Sequence, residues 1–166
     1  MLPVTAHATE NLQLHEQQIK AGLLYNFLKY TDWPQGSVSD SSIAVCIFGN
    51  DPFEGYLQPM AGRIVNRRQI TIRIIHTIEN AGSCHLLFIN ADEKSSWPQL
   101  LESLKGKSVL TVSDFDGFAD SGGMIEFGKK GDHINVNLNM EAVTAARLRV
   151  QDRLLRLVTV VHSGAN

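Results

Sequence analysis

Two apolar runs, Ile43-Ala44-Val45-Cys46-Ile47-Phe48 and Cys84-His85-Leu86-Leu87-Phe88-Ile89, set the tightest limit on what this chain can become. Both are strand-sized, and runs of this kind belong in a central sheet with helices packed over it. The segments around them supply those helices. Over residues 9–32, Ile19, Leu23 and Phe27 recur at four-residue steps with Leu24 and Leu28 beside them, one apolar stripe of a helix that Pro34 stops. Gly49-Asn50-Asp51-Pro52 ends the first strand, and a short helix is predicted over 52–60.

Residues 63–77 read as a second strand, with Ile70, Ile72 and Ile74 on one face and Thr71, Arg73 and Ile75 on the other. Residues 84–90 are the third strand, 97–104 a short amphipathic helix and 108–113 the fourth strand. Met124–Phe127 and His133–Asn137 flank Gly128-Lys129-Lys130-Gly131-Asp132, a turn composition that makes them a β-hairpin. Asn139 then caps a final helical region reaching Val161, interrupted around Arg147–Asp152. The fold class is α/β: a single three-layer α/β/α domain with a mixed central sheet of about six strands. At 166 residues the chain has room for one core and not for two ordinary ones. Residues 11–166 form the domain, and 1–10 are a disordered tail or a signal-peptide remnant.

Fifteen Lys+Arg against 17 Asp+Glu give a net charge of −2, and the basic residues are scattered. The basic stripe that phosphate-backbone binding requires is missing, so nucleic acid is not an expected partner. No apolar run approaches the ~18 residues of a bilayer span, and membrane insertion is not expected either. Ala6-His7-Ala8 has the small-x-small form that signal peptidase reads, ahead of the polar Thr9-Glu10-Asn11, but without the charged and apolar parts of a signal. Export and chance both account for it. Cys46 and Cys84 each lie in a strand-like run, which places both in a central sheet where they can approach one another and leaves two readings open. A disulfide would add roughly 4 kcal/mol through loop closure, whereas two buried thiols would pack as small apolar residues.

Several partial motifs fail. Gly106-Lys107-Ser108 resembles the end of a phosphate-binding loop, but Leu101 stands where that loop needs its first Gly, and the tripeptide precedes a strand. His15-Glu16 would open a zinc-protease helix, except that Ile19 occupies the place of the second His. Asp114, Asp116 and Asp120 are spaced like calcium ligands, yet Ala119 and Ile125 replace the required Gly and Glu. Cys46, Cys84 and His85 do not converge on a metal, since successive strand residues face opposite ways. No nucleophile elbow is present, and His7, His15, His76, His133 and His162 read as surface or turn residues. No catalytic residue, metal or cofactor is assigned.

Taken in order, several segments resemble the YfiR-like family of small periplasmic proteins. They begin with Ile19-Lys20-Ala21-Gly22-Leu23-Leu24-Tyr25-Asn26-Phe27-Leu28-Lys29-Tyr30 and Trp33-Pro34, then Cys46-Ile47-Phe48-Gly49 with Asp51-Pro52-Phe53. Cys84–Ile89, Leu110–Asp114, Phe118-Ala119 with Gly122–Ile125, and Asn137-Leu138-Asn139 leading to Leu154–Leu157 complete the set. The resemblance spans about residues 15–161 and is specific in order and spacing.

The resemblance implies a periplasmic repressor that binds the sensor part of an inner-membrane diguanylate cyclase, lowering cyclic di-GMP and biofilm formation, with no reaction of its own. It implies a homodimer, and an outer-membrane lipoprotein that sequesters the repressor. Cys46 and Cys84 match the family's cysteine pair, so it also implies the disulfide. The family's type member carries a second disulfide in the region of Ala119 to Glu126, where this chain has no cysteine. Ile125 and Val143 match apolar positions of the partner-binding surface, with ordinary core packing as the other reading of each. Asn137 stands where the family can have an acidic residue. Arg149 matches a basic position associated with small anionic effectors, against a solvated helix-end arginine. Two further classes stay open, a periplasmic small-molecule-binding sensor module using Arg149 and a hydrolase with an unrecognised site.

Overall fold

Apolar residues three and four apart build the first element, α1 (Val4–Lys29), in a computed structural model that describes residues 4–37 and 41–162. Its buried stripe is Lys20, Ala21, Leu24, Phe27 and Leu28, whereas Ile19, expected on the stripe, is 41% exposed. The stripe is rotated because Lys20 finds the carboxylate of Asp114 beneath the helix and is drawn inward. α1 takes in residues 4–10, the greater part of the expected tail; residues 1–3 lie outside the described residues.

The chain continues through β1 (Thr31–Asp32), β2 (Ser42–Phe48), β3 (Ile64–Val65), β4 (Arg68–Ile75), β5 (Leu86–Ile89), α2 (Trp97–Ser103), β6 (Leu110–Ser113), β7 (Ile125–Lys130), β8 (His133–Asn139), α3 (Met140–Ala145), β9 (Arg149–Val150), α4 (Asp152–Leu155) and β10 (Thr159–Val161). Eight strands form one mixed sheet in the order β10-β8-β7-β6-β5-β2-β4-β3, and β1 and β9 pair separately. β4, β2, β5, β6 and β7 run parallel to one another, β7 and β8 form the antiparallel hairpin, and β10 returns parallel to β8. One face of the sheet packs Leu24, Phe27 and Leu28 of α1 with Val143 of α3 and Leu154 of α4. The other carries Trp97 and Leu100 of α2. The fold is thus the expected three-layer α/β/α domain.

The six expected strands are present, and the sheet is wider than expected by the short edge strands β3 and β10. Residues 63–77 break in two because Asn66 and Arg67 are left-handed, at φ 49° and 70°, reversing the chain so that Val65 pairs with Arg68. Asn favours that conformation, but Arg gives no hint of it. Ile70 and Ile75 are buried on β4, while Ile74 is 45% exposed, since cover over this strand near the sheet edge is uneven. Glu54 and Gly55, both at positive φ, break the helix expected over 52–60 into turns, with a single 3₁₀ turn at Gln58–Met60.

Asn139 caps α3 as expected, its side chain accepting from Ala142 N at 3.1 Å. The helix does not reach Val161. α3 stops at Ala145, Arg147 turns left-handed at φ 60°, and the β-branched Thr159–Val161 extends as β10 against β8.

Candidate functional site

The two apolar runs lie side by side as β2 and β5, with Cys46 opposite Leu87. Cys84 lies two residues before this pairing begins, and a disulfide joins Cys46 to Cys84 with their Cα atoms 5.9 Å apart. The bridge is buried on the α2 face among Leu87, Ile89 and Leu100. It closes a loop of 38 residues, for which chain entropy predicts roughly 4 kcal/mol of stabilisation.

His85 turns the other way, as alternation demands. Its Nδ1 accepts the Ala44 backbone N–H at 2.8 Å, and its Nε2 lies 3.2 Å from the Ser37 carbonyl oxygen. An Nδ1 that accepts leaves the proton on Nε2, so the ring is neutral. Burial holds the His85 pKa below its ordinary value; the charges of Arg73 and Arg68 add to this and the Ser37 carbonyl opposes it. Trp33 donates to the His85 carbonyl at 3.2 Å and meets the imidazole edge-on. The one signal for this anchor in the sequence was a histidine set within an apolar strand run.

At the carboxyl ends of the parallel strands, Lys20 contacts Glu16 at 2.9 Å and Asp114 at 3.1 Å, and Lys129 contacts the other oxygen of Glu16 at 2.9 Å. Burial pushes the Glu16 pKa up, but hydrogen bonds from Lys129 and Lys20 and their charges outweigh it and hold the carboxyl below its ordinary value. The same hydrogen bond to Glu16 raises Lys129. Asn90 donates to the Asn50 carbonyl and accepts from Asp92 N, and Asp51 accepts from Phe53 N. These polar groups are engaged in holding the strand-end loops. No group of three or more His, Cys, Asp or Glu positioned for a metal ion occurs among the described residues.

The hairpin and α3 carry the expected partner-binding positions. Ile125 on β7 and Val143 on α3 are wholly buried in the same core cluster. Neither side chain meets solvent, so what they present to a partner is the hairpin and helix they anchor. Asn137 differs: β8 alternates, and while Val136 and Leu138 point into the core, Asn135 and Asn137 lie half-exposed on the opposite face. Gly128 pairs with Asn135, and a Cβ there would come within 2.6 Å of Asn135 Oδ1, so glycine makes room for that side chain. Glu126, opposite Asn137, accepts from Ala119 N at 2.8 Å, and Asn139 Nδ2 donates to the Ala119 carbonyl at 2.9 Å.

Arg149 is exposed on β9, in a strand and not at a helix end, with Asp32 of β1 as its pairing partner. Asp32 accepts from Gln151 Nε2 at 3.1 Å. A recess of about 110 Å³ beside β1 is lined by Thr31, Trp33, Val65 and Asn66, but not by Arg149. Thr31 is 1% exposed, and its hydroxyl has no hydrogen-bond partner among the described residues.

The profile of the YfiR/HmsC-like family matches residues 17–159. The chain belongs to the YfiR/HmsC-like family. The YfiR/HmsC-like family is a periplasmic, regulatory and non-catalytic one with a theme of diguanylate cyclase signalling. Among solved structures the chain is similar to the ABC domain in complex with L-Trp from Streptococcus pneumonia, at 7% identity and a TM-score of 0.49. That match covers 73% of this chain, which spans 55% of the other protein's length. No described helix is long and apolar enough to cross a membrane. This YfiR/HmsC-like protein ties Ala119 to Glu126 by a hydrogen bond. The expected residues divide three ways: Ile125 and Val143 in the core, Asn137 on the open face of the hairpin, and Arg149 on the small separate sheet.

Proposed function

We propose that this YfiR/HmsC-like protein binds the periplasmic sensor part of an inner-membrane diguanylate cyclase and holds the enzyme inactive, lowering cyclic di-GMP and biofilm formation. The match to the family over residues 17–159 carries this reading. The protein acts in the periplasm, as a homodimer, and an outer-membrane lipoprotein sequesters it to release the cyclase. Asn137, on the half-exposed face of the hairpin, contacts the cyclase, and Ile125 and Val143 fix the shape of the surface around it. The buried Cys46–Cys84 bridge suits an oxidising compartment.

Repression is a population shift. The domain prefers one conformation of the sensor, and holding the equilibrium at 99:1 against an opposite bias takes roughly 5.5 kcal/mol of differential affinity. A few anchors at the centre of an interface supply that much. The test is co-expression of the cyclase with and without this protein, reading cyclic di-GMP. Levels should fall when it is present and recover with Asn137→Arg; unchanged levels would remove the proposal.

A sensor module for a small ligand is the second reading, favoured by the orphaned, buried Thr31 hydroxyl beside the recess next to β1. Arg149, the expected ligand-binding residue, sits on the strand paired with β1 but does not line this recess, so this reading gives it no contact there. A ligand co-purifying with the protein and lost from Thr31→Val would support this reading.

A further inference from the structure

Between α2 and α3 lies a pocket that none of the expected site residues enters. Its floor is Val109 and Met124, beside β6 and β7. Trp97 and Leu101 of α2 form one wall, and Ala142 and Ala146 on the α3 side form the other. The pocket exists because α3 has only six residues and offers alanine where a larger side chain would close the gap. Gly122 lets the loop before β7 press against Leu101, since a Cβ there would come within 2.9 Å of that side chain. The cavity is about 180 Å³. An apolar cavity of about 150 Å³ admits a molecule of benzene size, so this one has room for six to eight carbons.

Its rim is positive. Lys105 and Lys107 are exposed and line it, and no acidic side chain does so among the described residues. Lys105 pairs with Glu102 at 2.7 Å, with both side chains about 70% exposed, and a pair so open to water is held weakly enough to be exchanged. Lys107 forms no ion pair among the described residues. Its ammonium lies against the bare backbone of Gly82, where a Cβ would fall 2.3 Å from Nζ. The walls are mostly aliphatic, and the two long lysine side chains can swing their charges over the mouth.

We propose that this pocket binds a short aliphatic carboxylate, its chain lying on Met124 and Val109 between Leu101 and Ala146 and its head group held by Lys105 and Lys107. The apolar part enters a preformed hollow, and the carboxylate exchanges Glu102 for the ligand at Lys105. Binding here requires nothing of the cyclase, so loss of the repressor reading leaves it standing.

Octanoate is the probe, octylamine its comparator of equal chain length and opposite charge, and NMR titration of the full chain the readout. Octanoate is expected to give saturable shifts at Met124, Leu101 and Ala146, with octylamine at least tenfold weaker. Ala145→Phe, at an exposed position on the rim, should weaken octanoate at least tenfold while leaving the spectrum away from the pocket unchanged. The double variant K105E/K107E should abolish the preference for octanoate over octylamine. Should A145F fail to fold, the lysine pair decides alone. Shifts that do not saturate, shifts centred elsewhere, equal binding of octylamine, or undiminished octanoate binding by K105E/K107E would each overturn the proposal.

Discussion

Lys20 Nζ lies 3.1 Å from Asp114 Oδ2, across 94 positions of sequence. That contact draws a charged residue onto the buried face of α1 and ties the helix to the loop leaving β6. Glu16, one turn earlier, accepts the same ammonium and passes the network on to Lys129 of the hairpin. The helix, the loop leaving β6 and the hairpin are therefore joined through Glu16 and Lys20, a lysine only 5% exposed.

Lys20→Met should destabilise the domain by about 1.5–3 kcal/mol, the range for hydrogen bonds to charged groups. Methionine keeps the apolar stem but leaves Asp114 without its cation. Urea denaturation at neutral pH measures the loss. A variant as stable as the native protein would show that the network contributes no net stability, as happens where desolvation cancels attraction.

Removing the Cys46–Cys84 bridge should cost roughly 4 kcal/mol, because it closes a 38-residue loop in the unfolded chain. The comparison is native protein against C46S/C84S, each with and without reductant. Reductant should lower the denaturation midpoint of the first and leave the second unmoved.

His85 makes stability depend on pH in mildly acidic solution. Its folded pKa is lowered, chiefly by burial, so below about 6.5 the unfolded chain takes up the proton more readily than the folded one. The contribution is full above that value and is lost as pH falls toward the lowered folded pKa. Protonating Nδ1 would set two donors against each other at Ala44 N. Midpoints at pH 7.5 and 5.5 should therefore separate more for the native protein than for His85→Gln, and equal separations would exclude His85 as the source.

Glu126→Ala should free the Ala119 N–H and loosen the Gly117–Gly123 loop, at a cost of about 1 kcal/mol. Hydrogen exchange is the measurement, with faster exchange expected at Ala119 and its neighbours. Glu126→Gln keeps an acceptor in place and should behave as native.

Local signals carried the element types well where a segment was long and consistently patterned. The apolar runs at 43–48 and 84–89 became β2 and β5, and Asn139 became a helix cap. They failed where the chain reverses through residues that do not advertise a turn. Arg67 and Arg147 are left-handed in spite of their side chains, and with Glu54 they account for the breaks within residues 52–60, 63–77 and 139–161. Local pattern places both cysteines in a central sheet, whereas the adjacency of β2 and β5 that joins them belongs to the tertiary structure.

Sequence order alone determined the layering of this protein, since strand-sized apolar runs alternating with amphipathic helices have few other ways to bury their surface. It also held the match to its family. Which residues face outward was decided only by tertiary structure. Ile125 and Val143 vanish into the core and Asn137 stays half-exposed because α1, α3 and α4 cover one face of the hairpin region, and no described helix covers the other. Lys20 goes inward for the same kind of reason: its partner Asp114 arrives from a distant part of the chain, and no local pattern can foresee a carboxylate that only the folded sheet brings within reach.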